Sequence, residues 1–138
     1  AIETGPEPAA VLKQFLDDVG SSGLGVNLDP ANLVMVVKDD PVVAVHTLQK
    51  YIVHTHAKDG IQVAPGSALA VYHGAAADSK PAAKFKEVPL GEGNVDWDGY
   101  LAALRAIGFK GFLTIEREVG DDPAADIGKA ISFLRKRI

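Results

Sequence analysis

Four short runs in the chain each read as ending a strand on a residue able to bind a metal ion: AIETG with Glu3, GVNLDP with Asp29, IVHTHAKDG with His56 and FLTIERE with Glu116. Three carboxylates and one imidazole make a mostly oxygen donor set. Such a set favours Mn2+, Mg2+ or Co2+ over structural zinc, which prefers Cys and His. Mn2+ is the expected ion, with Mg2+, Co2+ and Zn2+ as alternatives. Brought together without a cation, the carboxylates could not all stay charged. A divalent ion removes that difficulty, polarises a carbonyl and stabilises an enediolate. A carboxylate beside it could then remove and return a proton. A single acid at a strand end is more often a helix cap or an ion-pair partner, and Asp29 before Pro30 could simply start a turn. A lone His56 would more often be a satisfied buried histidine. Four such positions at matching places in successive runs outweigh those readings.

Lys58 lies two residues beyond His56 and shares its face if the strand continues. It is expected either to contact a substrate oxygen or to pair with Asp59. His54 sits one layer deeper and could support His56. His46 falls on a helical pattern and reads as structural, His73 as a surface residue, and Arg117 as an ion-pair partner. The GEG of PLGEGNVDW is a turn before a helix and could bind a phosphate through backbone N–H groups.

The elements that must carry these residues read as strand followed by helix, four times over, which favours α/β with parallel strands. In the first unit Ile2 and Glu3 end a strand. Val11, Leu12, Phe15, Leu16 and Val19 then recur at helical spacing up to Gly20. In the second, Val26 and Leu28 alternate with Asn27 and Asp29. DPANLVMVV reads as a loop or short helical turn, and Asp40–Pro41 opens a helix. In the third, Ile52, His54 and His56 share one face and Val53 and Thr55 the other. Residues 60–94 then read as a long irregular stretch, of the kind that is functional or mobile. Asp96 caps the next helix, with Trp97, Tyr100, Leu101, Leu104 and Ile107 as its stripe. In the fourth, Leu113 and Ile115 face helices while Phe112, Thr114 and Glu116 face the other way. Ile127, Ile131, Leu134 and Ile138 mark the buried face of the last helix. Inner faces are thus polar and outer faces apolar.

The 138 residues suit one domain, and at 47% hydrophobic composition they can fill a core. A net charge of −4 offers no general attraction to nucleic acid or anionic lipid. No cysteine is present, so disulfides and thiolate metal sites are excluded. The composition fits a reducing cytoplasm, the expected location. No apolar run reaches the roughly 20 residues that span a bilayer.

The motifs IETGPE, GVNLDPANL, VHTHAKDG, VPLGEGNVDW and GFLTIERE, taken together and in this order, resemble the sugar phosphate isomerases/epimerases of the xylose isomerase-like TIM-barrel superfamily. The resemblance covers essentially the whole chain and implies strands five to eight of an eight-stranded barrel, with residues 1–138 as its C-terminal half. A complete barrel takes about 250 residues, so the chain is expected to be a fragment of a longer one. It is also expected to self-associate or to pair with a missing N-terminal half. By resemblance the metal ligands are Glu3, Asp29, His56 and Glu116, and Glu3 and Glu116 also serve as the acid/base pair, with Lys58 as a further catalytic candidate. The implied activity is metal-dependent isomerisation or epimerisation of a sugar or sugar phosphate. A dehydratase or lyase acting on a cyclic polyol, or an inactive half-barrel, are the alternatives. Related ketose 3-epimerases carry histidine where this chain has Asn32, and glutamate where it has Ala9, with Glu7 nearby. Endonuclease IV shares the fold but needs additional histidines that are not found here.

Overall fold

Alternating short strands and helices wind one parallel sheet in a computed structural model that describes residues 1–138. Strands β1 (Ile2–Glu3), β2 (Val26–Leu28), β3 (Ile52–Ala57) and β6 (Leu113–Ile115) lie side by side in that order, all parallel. Parallel neighbours need crossovers, and these are supplied by α1 (Ala9–Val19), α3 (Pro41–Leu48) and α5 (Trp97–Ala106), with α6 (Pro123–Arg135) following β6. Helix starts are set by aspartates. Asp40, Asp96 and Asp122 accept hydrogen bonds from the backbone N–H of Val42, Gly99 and Ala125, with Pro41 and Pro123 in the first turn. Helix α1 has no side-chain cap of its own; Asp39 accepts from the Ala9 N–H at 2.8 Å.

The core lies between the sheet and this helical layer. Val26 and Leu28 are fully buried against Leu12 and Leu16 of α1, Ala44, Val45 and Leu48 of α3, and Trp97, Tyr100, Leu101 and Leu104 of α5. Apolar outer faces and polar inner faces therefore hold for β2 and β6, as alternation requires.

Strand β3 departs from simple alternation. Val26 pairs with Ile52, but Asn27 pairs with His54, so Val53 is the extra residue of a β-bulge and is 62% exposed. Ile52 packs with the helical layer instead of sharing the face of His54 and His56. One inserted residue shifts the phase by one. Gly25 makes room for it, since a Cβ there would sit 2.8 Å from both Val53 Cγ atoms. Beyond the bulge Thr55 and Ala57 are buried toward the helices, and Thr55 Oγ1 donates to the Phe112 carbonyl at 3.0 Å.

Of the two readings of DPANLVMVV, loop or short helical turn, the helical one holds. Asp29 caps the short α2 (Pro30–Asn32), which runs into a π-helical turn, Leu33–Val37, that buries Leu33, Met35 and Val36. Such turns are rare and often sit at functional sites. Residues 60–94 are not irregular. Strand β4 (Asp59–Ala64) is separated from β3 by Lys58 alone and pairs antiparallel with β5 (Lys84–Val88), and α4 (Ala68–His73) lies in the connection. The hairpin closes over the π turn. Gly60 has no space for a side chain, because a Cβ would lie 2.1 Å from Met35 Sδ.

Both flanking helices bury less than their apolar pattern suggests. In α1 only Leu12 and Leu16 of the stripe are buried, while Val11, Phe15 and Val19 are exposed. In α6 the buried residues are Ala130 and Leu134, Ile127 and Ile131 face out, and Ile138 is exposed beyond the helix end. Strands β1 and β6 are the two edges of the sheet, so each of these helices has a neighbour on one side only. No helix is long and apolar enough to cross a membrane.

Candidate metal centre

The four residues singled out by type and spacing meet at the C-terminal end of the sheet. Glu3 ends β1, Asp29 follows β2, His56 lies in β3 and Glu116 follows β6. One ligand atom from each lies within 4.8 Å of all the others. His56 Nδ1 is the hub, 3.3 Å from Asp29 Oδ2, 3.4 Å from Glu3 Oε1 and 3.4 Å from Glu116 Oε2. Strand register delivers this: Glu116 N–H donates to the Ala57 carbonyl at 3.2 Å, extending the β3–β6 ladder by one residue. Asp29 is fully buried and divides its oxygens. Oδ1 accepts from the Asn32 N–H at 2.9 Å and caps α2, which leaves Oδ2 for the cluster. The Thr4 hydroxyl and the Asp29 backbone exchange two 2.9 Å hydrogen bonds that tie β1 to β2.

The electrostatics record the crowding. Burial raises the Glu3 pKa above the usual carboxylate value; His56 opposes this, and the charges of Asp29 and Glu116 reinforce it. The hydrogen bond to Asp29 raises the His56 pKa, against desolvation, with Glu116, Asp29 and Glu3 adding their charges. Both shifts run toward the protonated form, the direction that crowding of like charges imposes. A donor set of three carboxylates and an imidazole fits a hard or borderline divalent ion. On the far side of the ring, His56 Nε2 lies 3.0 Å from Asn27 Nδ2, while Asn27 Oδ1 is buried without a partner. Turning the Asn27 amide over brings that oxygen to Nε2–H and leaves the Nδ1 lone pair for a cation, the usual arrangement behind a ligand histidine.

Lys58 reaches the centre, and its ion-pair partners are not the expected Asp59. Its Nζ donates to Glu116 Oε2 at 2.8 Å and to Glu118 Oε2 at 2.5 Å, and lies 3.8 Å from Glu87 Oε2. Burial works against its charge, but the hydrogen bonds to Glu116 and Glu118 prevail and its pKa is raised. Asp59 takes no part in this. Its carboxylate accepts from the N–H groups of Gly60, Gly91, Gly93 and Val95 and from Trp97 Nε1. The backbone donors of the GEG turn therefore already hold an anion, the side chain of Asp59, and offer no phosphate site. His54 bonds Thr114 Oγ1 at 2.8 Å, one layer beneath the cluster. His46 and His73 are exposed. Arg117 forms the expected ion pairs, with Glu87 at 2.7 Å and Asp126 at 2.9 Å, and so links β5 to α6.

A cavity of about 340 Å3 opens beside the cluster, lined by Glu3, Glu116 and Lys58 and by residues that reading the sequence did not find: Tyr72, Phe85, Glu87 and Glu118. Tyr72 and Phe85 come from the hairpin and its helix, where no periodic signal pointed to a site. Burial, with the charges of Asp29 and Glu3, pushes the Tyr72 hydroxyl up to about 12. Asn32 also lines the cavity and donates to Glu3 Oε1 and to the Thr4 carbonyl, both at 3.1 Å, so it orients a candidate ligand.

Comparison with known proteins agrees with this layout. A family model described as a xylose isomerase-like TIM barrel matches residues 4–137. An L-ribulose-5-phosphate 3-epimerase, UlaE, of Salmonella paratyphi C is 40% identical over 63 residues, 44% of this chain and 22% of that protein. A xylose isomerase domain protein from Planctomyces limnophilus superposes with a TM-score of 0.75 at 34% identity, covering 97% of this chain and 42% of the other. A probable 3-DHS dehydratase, AsbF, from Bacillus anthracis gives 0.69 at 25% identity, covering 99% and 49%. The chain thus spans less than half the length of either solved relative.

Proposed function

This chain belongs to the xylose isomerase-like TIM barrel family, and from that membership we propose that it carries the metal site of an epimerase or isomerase that moves a proton beside the carbonyl of a sugar or sugar phosphate. The observation behind the proposal is the meeting of Glu3, Asp29, His56 and Glu116 within 4.8 Å at the strand ends, next to an open cavity. These four residues would hold a divalent ion, Mn2+ by preference. Once bound, the ion supplies a Lewis acid that polarises a carbonyl and offsets charge developing on its oxygen.

The chain's own residues do the rest. Glu3, at the end of β1 and on the wall of the cavity, takes or returns the proton at the carbon beside the carbonyl. Glu116 is its acid/base counterpart. Lys58 holds Glu116 by the 2.8 Å hydrogen bond and keeps it from turning away. Asn32 does the same for Glu3 through its 3.1 Å contact. The partly exposed rings of Tyr72 and Phe85 narrow the cavity and limit water around the reacting carbon.

A dehydratase is the second reading, supported by the likeness to the dehydratase of Bacillus anthracis. Incubating the Mn2+-loaded protein with a panel of ketoses in D2O separates the readings. Epimerisation introduces deuterium beside the carbonyl and inverts the centre; dehydration releases water and gives an unsaturated product. Mn2+ binding with no exchange on any ketose would support a non-catalytic half-barrel. We also propose that the exposed stripes of α1 (Val11, Phe15, Val19) and α6 (Ile127, Ile131), with Ile138 beyond it, are covered by self-association or by a complementary half-barrel. Sedimentation showing a stable dilute monomer, unchanged by Phe15→Ser, would count against this.

A further inference from the structure

Three of the four cluster residues are set by regular structure. Glu3 ends β1, Asp29 caps α2 and His56 lies inside β3. Glu116 is placed differently. It falls between the end of β6 at Ile115 and the start of α6 at Pro123, where the chain is neither strand nor helix. A connecting segment keeps its backbone freedom unless side chains tie it down, and a metal site needs its donors held to within about 0.5 Å. The hydrogen bond from the Glu116 N–H to the Ala57 carbonyl fixes one point of the segment. A second point is needed to set its direction.

Glu87 supplies that point. It lies opposite Gly60 in the β4–β5 ladder and is buried. Its Oε1 accepts from the Glu118 N–H at 3.1 Å and from Arg117 Nη1 at 2.7 Å. Arg117 Nε donates in turn to Asp126 Oδ2 at 2.9 Å, in the first turn of α6. Residues 117 and 118 are thus gripped by the hairpin on one side and by α6 on the other. Gly120 turns the chain back for this contact: its φ is +129°, and a Cβ there would meet Asp126 Oδ2 at 2.9 Å. Glu87 Oε2 lies 3.8 Å from Lys58 Nζ, which donates to Glu116 Oε2 at 2.8 Å. One buried carboxylate therefore faces both the main chain that follows Glu116 and the cation that holds its side chain. Joining β5 to α6 would need Arg117 and nothing more. The Glu118 N–H and Lys58 are what turn this ion pair toward the centre.

We propose that Glu87 is a positioning residue for the metal centre: through the Glu118 N–H, Arg117 and Lys58 it sets Glu116 in place, so that docking of the hairpin completes the ligand set. The inference rests on the metal-site reading. It adds that the β4–β5 hairpin, which contributes none of the four cluster residues, governs the affinity of the centre.

The test is calorimetric titration of the 138-residue chain and its variants with Mn2+. Glu87→Ala should weaken binding about tenfold, the scale of a partner that orients a ligand. Glu87→Gln keeps an oxygen for the Glu118 N–H and should stay within about threefold of the parent. Glu116→Ala should also weaken binding, and adding Glu87→Ala to it should cost nothing further, because Glu87 acts only through Glu116. Unchanged affinity in Glu87→Ala overturns the proposal. So does an equal fall in Glu87→Gln, which would make the effect one of charge, or a full tenfold fall in the Glu116→Ala background. In those cases the metal site stands. If circular dichroism shows Glu87→Ala unfolded, Arg117→Gln, which cuts the grip from the α6 side, takes its place in the cycle; about a threefold fall is expected with Glu116 present and none without it, and equal falls in both overturn the proposal. A parent chain that binds no Mn2+, or a Glu116→Ala variant that binds it undiminished, overturns the metal-site reading and this proposal together.

Discussion

Asp29 and Asp59 are both buried carboxylates beside the ends of the sheet's strands, yet their surroundings are opposite. Asp59 receives four backbone N–H groups and the Trp97 indole, with both oxygens saturated at 2.8–3.2 Å. All of these donors are neutral, and the carboxylate serves as a staple between β4 and the turn before α5. Asp29 receives one backbone N–H on Oδ1, while Oδ2 has only His56 at 3.3 Å and shares its space with Glu3 and Glu116. A buried charge saturated by fixed dipoles is part of the framework; one left short among like charges is half of a binding site. Burial alone does not distinguish them. The sign and number of the partners does.

The largest effect that tests this contrast is on the staple. Asp59→Ala leaves five donors facing a hole, so unfolding in urea should show a loss of about 3–5 kcal/mol. A loss within the range of an ordinary surface change would mean that water takes over those donors and that Asp59 is no staple. Next is Asp29→Asn, which keeps an oxygen for the Asn32 N–H and removes the charge. Mn2+ affinity should fall about 100-fold or more, while the metal-free protein stays within about 1 kcal/mol of the parent. Equal damage to stability from Asp29→Asn and Asp59→Ala would erase the distinction.

Proton competition follows in size. His56 has a raised pKa, held chiefly by Asp29, and its Nδ1 must shed that proton to bind an ion. Mn2+ affinity should therefore decline as pH falls through the raised value, by about tenfold per unit for one proton. Stability of the metal-free protein runs the other way. The raised pKa contributes stability that is complete below the unfolded value of 6.5 and vanishes as pH rises through the folded one. Parallel Mn2+ titrations and thermal melts across the histidine range should give slopes of opposite sign; matching slopes would remove His56 from the centre. The smallest effect is expected from Asn27→Ala, which frees His56 Nε2 and should cost about tenfold in Mn2+ affinity with little change in melting temperature.

Much of the centre was legible from the residues in order. Glu3, Asp29, His56 and Glu116 each stand at the end of a short apolar alternation, and that places them on one face at one edge. The helix starts at Asp40, Asp96 and Asp122 were legible too, because a cap acts on the N–H groups two or three residues on. The bulge at Val53 was not, because alternation within β3 carries no mark of which residue its partner strand skips. The hairpin in 60–94 escaped because KFKEV lacks a clear two-residue pattern and its pairing partner lies on the far side of α4. The buried faces of α1 and α6 were overestimated for a related reason: an apolar stripe records what a helix can bury, not whether a neighbour is there to bury it.

The type of each cluster residue, the face it occupies and the strand–helix order were local properties, carried by side-chain chemistry and by a two-residue period that needs no distant contact. The identity of each charge's partner was not local. Lys58 finds Glu116 and Glu118, 58 and 60 positions away, and not the adjacent Asp59, which instead finds Gly91, Gly93, Val95 and Trp97. Those pairings depend on how the strands lie side by side and on the hairpin folding over them. Which carboxylate became a staple and which joined the candidate metal cluster was therefore decided by packing.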